Sequence, residues 1–222
     1  MSECVAYDGA KKSEISGIKC VMIANDVKVL SCECFEHSTL QRVTFACPSS
    51  LCQIEKGAFA FSNLSVIEIP SSVEELGESC FRGCKFLKHI TFELGSLLKQ
   101  IGFHAFEESG LLSIDIPRSV ENLPESCFEK CDFLKRVTFE ESDNSMCLIA
   151  SIGGSAFSGC SGLTSVTIPD SVTSIGDCAF CDCSSLTSVT IPDSVTSMGD
   201  SAFVGCSKLK IHRSKLKRFP DA

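Results

Sequence analysis

The chain has 222 residues, of which 44% are hydrophobic, and a formal charge of −8 at pH 7. This hydrophobic content is enough to build a core and excludes a wholly disordered chain. The negative charge argues against a general nucleic-acid binder, because phosphate contacts require a basic surface. No stretch has the ~18 apolar residues of a membrane helix, so we expect no direct membrane insertion.

The first 17 residues are predicted to form an N-terminal cap or a degenerate repeat. They contain charged side chains throughout and no apolar run of the length found in signal peptides. We therefore expect no secretion by that route. Ile18, Val21 and Ile23 then supply the apolar positions of a first strand.

A phenylalanine preceded by Ala or Cys returns every 22–29 residues along the rest of the chain. A period of this size is typical of a solenoid, in which each unit buries its apolar face only against its neighbours. We predict one domain of about eight repeats over residues 18–209, with the repeat phenylalanines stacked as the spine of its core. These are Phe35, Phe59, Phe81, Phe106, Phe128, Phe157, Phe180 and Phe203.

Each repeat carries one clear strand signal, the pattern Leu-x-x-Val-x-Ile, as in Leu163, Val166 and Ile168. The alternation of β-branched residues places apolar side chains on one face and polar side chains on the other. In most repeats the strand stops at a proline or a polar turn, as at Pro169, because proline cannot donate a ladder hydrogen bond. The pattern therefore predicts one parallel strand per ~23-residue repeat.

Two shorter signals follow each strand. An apolar pair such as Val172 and Ile175 predicts a second short strand or extended segment on the other side of the coil. The Ser-Ala-Phe-x-x-Cys segment, as at residues 155–160, is too short for a full helix and predicts a helical turn. The basic residues 210–222 are predicted to be a C-terminal cap or tail.

Strands that end in Phe45, Phe92 and Phe139 alternate with strands that end in Ile-Pro. The alternation indicates an ancestral unit of two repeats, about 47 residues long. Residues 140–145 are polar and are expected to form a loop.

Eight of the sixteen cysteines fall on repeat positions, either directly before the repeat Phe or three residues after it. Other repeats carry Ala at the first position and Ser at the second, so both favour a small side chain, and free Cys packs there as a small hydrophobe. We expect free thiols, although Cys160, Cys183 and Cys206 in neighbouring coils could form disulfides. A metal site at Cys178, Cys181 and Cys183 lacks a fourth ligand and is not predicted, and the four histidines are too scattered to suggest catalysis.

The residues on either side of the central strand Val point away from the core, so they form two columns on the outer face of the sheet. Basic residues fall on the Phe-ending strands and acidic residues on the Ile-Pro strands, which could be charge balance on a solvated sheet or a docking face. Toward the C-terminus both columns contain only Ser and Thr. The candidate partner-binding residues are Arg42, Thr44, Glu68, His89, Thr91, Asp115, Arg136 and Thr138.

The full repeat, Leu-x-x-Val-x-Ile-Pro-x-x-Val-x-x-Ile-Gly-x-x-Ala-Phe-x-x-Cys, resembles the BspA-like class of leucine-rich repeats over residues 18–209 and most closely over 152–207. The resemblance implies a leucine-rich-repeat-like right-handed coil, in the form of a curved solenoid with a parallel sheet on one face. Many members of that family are surface proteins of bacteria and protists that bind host or matrix proteins, or other cells. The repeat motif carries no catalytic residues and no cofactor.

Together, these observations predict a non-enzymatic protein-binding or adhesion module that presents the curved sheet to a protein, with a glycan or a host matrix protein as further candidates. The alternative is an intracellular scaffold, or a fragment of a longer repeat array. The missing signal peptide and the free thiols favour the cytoplasm, whereas the resemblance favours the cell surface. The oligomeric state is left open.

Overall fold

The computed structural model describes residues 4–8, 17–140 and 147–210. They form a solenoid of parallel strands, without a helix in the described residues. Accordingly, none of the described segments forms a helix suited to crossing a bilayer. The predicted N-terminal cap is described only at residues 4–8 and 17, and the predicted C-terminal tail lies outside the described residues apart from Lys210.

One strand from each coil joins a nine-stranded parallel sheet. Numbered in chain order with the shorter strands, its members are β1 (Val5–Tyr7), β2 (Cys20–Ile23), β4 (Arg42–Phe45), β6 (Val66–Ile69), β8 (His89–Phe92), β10 (Ser113–Ile116), β12 (Arg136–Phe139), β14 (Ser165–Thr167) and β16 (Ser188–Thr190). The central residue of most of these strands is buried and its neighbours are exposed, which confirms the alternation predicted from the sequence.

The second residue of each apolar pair ends a two-residue strand, and these short strands form two further sheets. One contains β3 (Val29–Leu30), β5 (Gln53–Ile54), β7 (Glu75–Leu76) and β9 (Gln100–Ile101). The other contains β11 (Asn122–Leu123), β13 (Ser151–Ile152), β15 (Ser174–Ile175) and β17 (Ser197–Met198). The two sheets meet, without joining, between β9 and β11.

Pro124 explains this interruption. In neighbouring coils the residue after the short strand donates its N–H to the preceding coil, as Gly102 does to the Leu76 carbonyl (2.7 Å) and Gly153 to the Leu123 carbonyl (2.8 Å). Pro124 occupies the same position and has no N–H to donate. The ladder between β9 and β11 therefore breaks at this coil, and we call this place the Pro124 seam.

Proline also explains why extensive and minimal pairing alternate between neighbouring strands of the large sheet. Glu93 follows β8 and donates its N–H to the Ile69 carbonyl (3.0 Å), but Pro70 and Pro117 follow β6 and β10 and cannot donate. Consequently β6 and β8 pair over four register positions, whereas β8 and β10 pair at only one. The two-repeat period predicted from the sequence is thus visible in the hydrogen bonding.

The repeat phenylalanines form the predicted spine. Adjacent rings lie 5.1–5.4 Å apart between centroids with interplanar angles of 1–10°, and all but the last are fully buried. Tyr7 packs on Phe35 at 5.0 Å, with its ring tilted by 55°, and begins the stack. Burial, followed by the proximity of Cys34, raises the pKa of Tyr7 to about 12.

The segment around each repeat Phe differs from the predicted helical turn. Residues two before and two after the Phe have positive φ, as at Ser126 (56°) and Lys130 (55°), which a right-handed helix does not allow. Their N–H groups, and that of Phe128 itself, instead donate to carbonyls of the following coil at 2.7–3.0 Å. Between them, bonds within the segment remain, as from the Glu129 N–H to the Ser126 carbonyl (3.1 Å) and from the Cys131 N–H to the Phe128 carbonyl (3.2 Å). The segment is therefore a series of tight turns bonded to the next coil, and the predicted helical turn does not form. We call this part of each coil the Phe turn.

Candidate binding surface

The candidate binding residues lie on the outer face of the nine-stranded sheet, as predicted. Strand register places Arg42 opposite Val66, Val66 opposite His89, and His89 opposite Ser113, which in turn lies opposite Arg136. In the second column Glu68 lies opposite Thr91, and Asp115 opposite Thr138. All eight candidates are exposed except Thr138, which is half-buried. We refer to these two columns as the outer columns.

Polar contacts across the strands hold part of the outer columns in place. The Thr138 hydroxyl donates a hydrogen bond to an Asp115 carboxylate oxygen, and the Arg136 guanidinium lies 4.0 Å from the same oxygen. Because both charged side chains are more than 60% exposed, this ion pair contributes little to stability. The carboxylate and the guanidinium therefore remain accessible to a partner.

The outer columns extend further toward the N-terminus than the sequence indicated. Cys20 lies opposite Arg42, and Met22 lies opposite Thr44. Met22 and Val66 are 42% and 41% exposed, so apolar side chains adjoin the charged positions in this part of the face. At the other end Ser165, Thr167, Ser188 and Thr190 carry neither charge nor a large apolar group.

The cysteines three residues after the repeat Phe act as hydrogen-bond donors in addition to filling space. Cys84 Sγ donates to the Phe59 carbonyl (3.0 Å) and Cys131 Sγ to the Phe106 carbonyl (3.0 Å). Ser109 occupies the same position in the coil between them and contacts Cys131 Sγ at 3.3 Å. Cys and Ser are both small and can both donate a hydrogen bond, which explains why they exchange at this position.

Several cysteines of the core are fully buried, and burial raises the pKa of their thiols. Burial raises the pKa of Cys84 to about 11 and raises the pKa of Cys127 well above its usual value. Fourteen of the sixteen cysteines are free, including Cys160, Cys183 and Cys206. Cys4 and Cys20 form a disulfide with a Cα–Cα distance of 4.6 Å. The sequence had not suggested this pair, because neither residue lies on the repeat positions that guided the alignment.

The one potential group of metal ligands in the described residues is not the cysteine cluster considered from the sequence. It contains His104, Glu107 and Glu129, whose ligand atoms lie within 4.8 Å of one another. His104 stands two residues before one repeat Phe, and each glutamate follows a repeat Phe directly. The strand alternation predicts the columns of the sheet, but no comparable pattern marks the columns of the Phe turn.

A cleft of about 420 Å³ opens at the Pro124 seam. It is lined by residues of three successive coils, among them Gly77, Gly102, Phe103, Asn122 and Pro124. Phe103 is 55% exposed there.

The sequence pattern of the BspA type leucine-rich repeat region matches this chain in six copies, over residues 13–135 and 134–217. The chain belongs to the BspA-type leucine-rich repeat family. Membership confirms the resemblance inferred from the repeat and the solenoid predicted with it. The family is a protein-interaction repeat type and is generally non-enzymatic.

Several solved bacterial structures are similar to this member of the family. The leucine-rich repeat protein TpLRR of T. pallidum is 29% identical with a TM-score of 0.70, and the match covers 81% of this chain and 82% of that protein. A leucine-rich cell surface protein of Faecalibacterium prausnitzii is 25% identical with a TM-score of 0.52, and the match covers 92% and 64% of the two chains.

The pneumococcal vaccine antigen PcpA shares the fold, at 23% identity and a TM-score of 0.60. The match covers 86% of this chain and 60% of PcpA, so the chain spans less than two thirds of that antigen. No curated protein matches the sequence significantly.

Proposed function

We propose that this BspA-type chain is a protein-binding module, with the outer columns between Arg42 and Thr138 as its binding surface. The observation that carries the proposal is the contrast along one continuous sheet. Exposed side chains of both charges, with two apolar ones, occupy its first two thirds, whereas only Ser and Thr occupy its C-terminal strands.

The sheet suits this role because it holds the contact residues rigidly. Each strand is fixed by ladder bonds on one or both sides and by a buried central residue beneath, so binding would cost little backbone entropy. Arg42 and Arg136 lie at one level of the columns, and Glu68 and Asp115 at the other. A partner with complementary charges would therefore be held in one register.

The similar proteins favour an adhesive setting for this activity. One is described as a cell surface protein and another as a vaccine antigen. We propose that the chain acts at a cell surface, where its partner would be a host or matrix protein.

The test measures binding of the purified chain to immobilised fibronectin, laminin and collagen, and to intact host cells. A quadruple variant, Arg42→Ala, Glu68→Ala, Asp115→Ala and Arg136→Ala, should lose affinity about tenfold or more, equivalent to about 1.4 kcal/mol. The matched control carries Thr167→Ala and Thr190→Ala on the C-terminal strands and should bind as the parent does. Equal losses in both variants, or no saturable binding to any of these targets, would argue against the proposal.

An intracellular scaffold is the second candidate, and the fourteen free thiols favour it. Localisation of a tagged chain separates the two settings. A thiol count on protein extracted under denaturing conditions supplies an independent answer. Extensive oxidation would place the protein outside the cytoplasm, whereas fourteen or more free thiols would support the scaffold.

A further inference from the structure

His104, Glu107 and Glu129 converge on the surface formed by two adjacent Phe turns. His104 and Glu107 flank Phe106 in one coil, and Glu129 follows Phe128 in the next. His104 Nδ1 lies 2.9 Å from Glu107 Oε2. The group therefore brings one imidazole nitrogen and two carboxylates together from two coils.

Glu107 is 5% exposed and is the only buried charged residue among those that the structure describes. Its Oε1 accepts a hydrogen bond from Arg82 Nη2 at 3.3 Å. Its Oε2 has Arg82 Nε at 3.1 Å and His104 Nδ1 at 2.9 Å, but neither contact has the geometry of a hydrogen bond. Leaving a buried carboxylate oxygen without a hydrogen bond is costly, so this atom is open to an additional ligand.

The second carboxylate adds negative charge beside the first. Glu107 and Glu129 occupy equivalent positions of consecutive coils, so their side chains adjoin across the stack. Glu129 is paired with Lys130, whose Nζ lies 3.1 Å from Oε1. One cation between the two glutamates would relieve their repulsion and satisfy Glu107 Oε2 at the same time.

The group also lies at the Pro124 seam, where the two coils are held less firmly. The His104 N–H reaches the Glu125 carbonyl at 3.4 Å, whereas the equivalent bond from Ser155 to the Asp177 carbonyl is 2.8 Å. A ligand shared by His104, Glu107 and Glu129 would join the two coils where the short-strand ladder is missing.

We propose that His104 Nδ1, Glu107 and Glu129 bind one Zn²⁺ ion that links the two coils across the Pro124 seam. Zinc accepts histidine nitrogen and carboxylate oxygen in four-coordinate sites, and water would supply the remaining position. An imidazole ligand favours zinc over magnesium and calcium, which prefer oxygen. The competing account is a metal-free network, in which Arg82 neutralises Glu107 and His104 contacts its carboxylate directly.

The experiment is a zinc titration by calorimetry after iodoacetamide has blocked the accessible thiols, with the zinc-dependent shift in unfolding temperature as a second readout. His104→Ser and Glu129→Ser are suitable variants, because Ser126 and Ser158 occupy these positions in neighbouring coils. Ser126 also has the same positive φ as His104. Each variant should weaken zinc binding about tenfold or more and remove the thermal shift. His37→Ser is the matched control for loss of an exposed histidine elsewhere and should bind zinc as the parent does.

Arg82→Ala distinguishes the two accounts, and Ala60 shows that the preceding coil accepts alanine at this position. If zinc binds here, removing the guanidinium should tighten zinc binding, and zinc should restore the stability that the variant loses. If the network is metal-free, the variant should be destabilised with or without zinc. No saturable binding to the parent chain, or parent-like binding by His104→Ser, would overturn the proposal.

Discussion

At the scale of the residue, the repeat phenylalanines contribute most to the core, because each ring contacts the equivalent ring on both sides. Phe128 lies 5.1 Å from Phe106 and 5.2 Å from Phe157 and is fully buried. We predict that Phe128→Ala lowers the free energy of unfolding by about 3–5 kcal/mol, because it removes a buried ring and leaves a cavity. Urea denaturation measures this change.

The matched control is Phe133→Ala, five residues further along the same coil. Phe133 is 57% exposed and its ring contacts the Lys88 ammonium at 4.7 Å. Its loss should change stability by no more than about 0.5 kcal/mol. Equal effects of the two substitutions would contradict a spine formed by the buried rings.

The thiols offer a second residue-scale prediction, because exposure and pKa predict different orders of thiol reactivity. Cys32 is exposed, but its thiol donates to Glu55 Oε2 at 3.3 Å, and this hydrogen bond raises its pKa. A hydrogen bond from Cys183 lowers the pKa of the half-buried Cys206. Since the thiolate is the reactive form, Cys206 should reach half of its maximal maleimide labelling at a lower pH than Cys32.

The measurement is peptide mass spectrometry after labelling from about pH 6 to about pH 9, which spans the usual thiol range. Glu55→Gln removes the carboxylate that raises the pKa of Cys32 and should move the labelling of Cys32, but not of Cys206, to lower pH. The ranking is wrong if Cys32 is labelled at the lower pH in the parent chain.

Residue identity predicted the packing of the cysteine positions but not their hydrogen bonds. The position three residues after the repeat Phe holds Cys in some repeats and Ser in others, as at Cys84, Ser109 and Cys131, which showed that it accepts a small side chain. The acceptor is a Phe carbonyl of the preceding coil, 25 residues earlier for both Cys84 and Cys131. A contact across coils is visible in one sequence only when the register of the coils is known.

At the scale of the element, proline decides where strands join. We predict that Pro124→Gly restores an N–H donor toward the Ile101 carbonyl and reconnects the two short-strand sheets, as Gly102 and Gly153 do in their coils. Hydrogen exchange should then find a protected amide at position 124. The added hydrogen bond should raise stability. Part of this gain will be lost, because glycine makes the unfolded chain more flexible than proline does, which lowers stability by about 0.4–1 kcal/mol.

A substitution at Pro169 provides the comparison for this prediction. Pro169 interrupts pairing in the large sheet, so Pro169→Gly should protect an amide there and leave the Pro124 seam unchanged. An unprotected amide at position 124 in Pro124→Gly would mean that the missing donor is not the cause of the seam.

The elements themselves were predictable to different degrees. Alternation identified the long strands, because apolar residues at a period of two have one stable arrangement on a half-buried sheet. The Phe turn was misjudged, because positive φ is usually signalled by glycine, and here residues such as His104, Ser126 and Lys130 adopt it. Bonds between coils offset the strain, and a local pattern does not reveal them.

At the scale of the whole molecule, the period of the sequence was sufficient to predict the solenoid and the outer columns. It was not sufficient for the His104, Glu107 and Glu129 group, because their proximity depends on the stacking of one Phe turn on the next. The partner is also beyond the sequence, since a repeat specifies the scaffold and leaves the exposed side chains free to vary. The binding role of Arg42 to Thr138 stays a prediction for the mutants described above.

Tyr7 gives the molecule a built-in optical reporter. It is the only tyrosine, and the chain has no tryptophan. Since it packs on Phe35 at the first coil, its fluorescence should follow the opening of that end, while the phenylalanine bands in the near-ultraviolet circular dichroism spectrum follow the interior. One unlabelled sample can therefore distinguish fraying of the end from the cooperative loss of the whole stack.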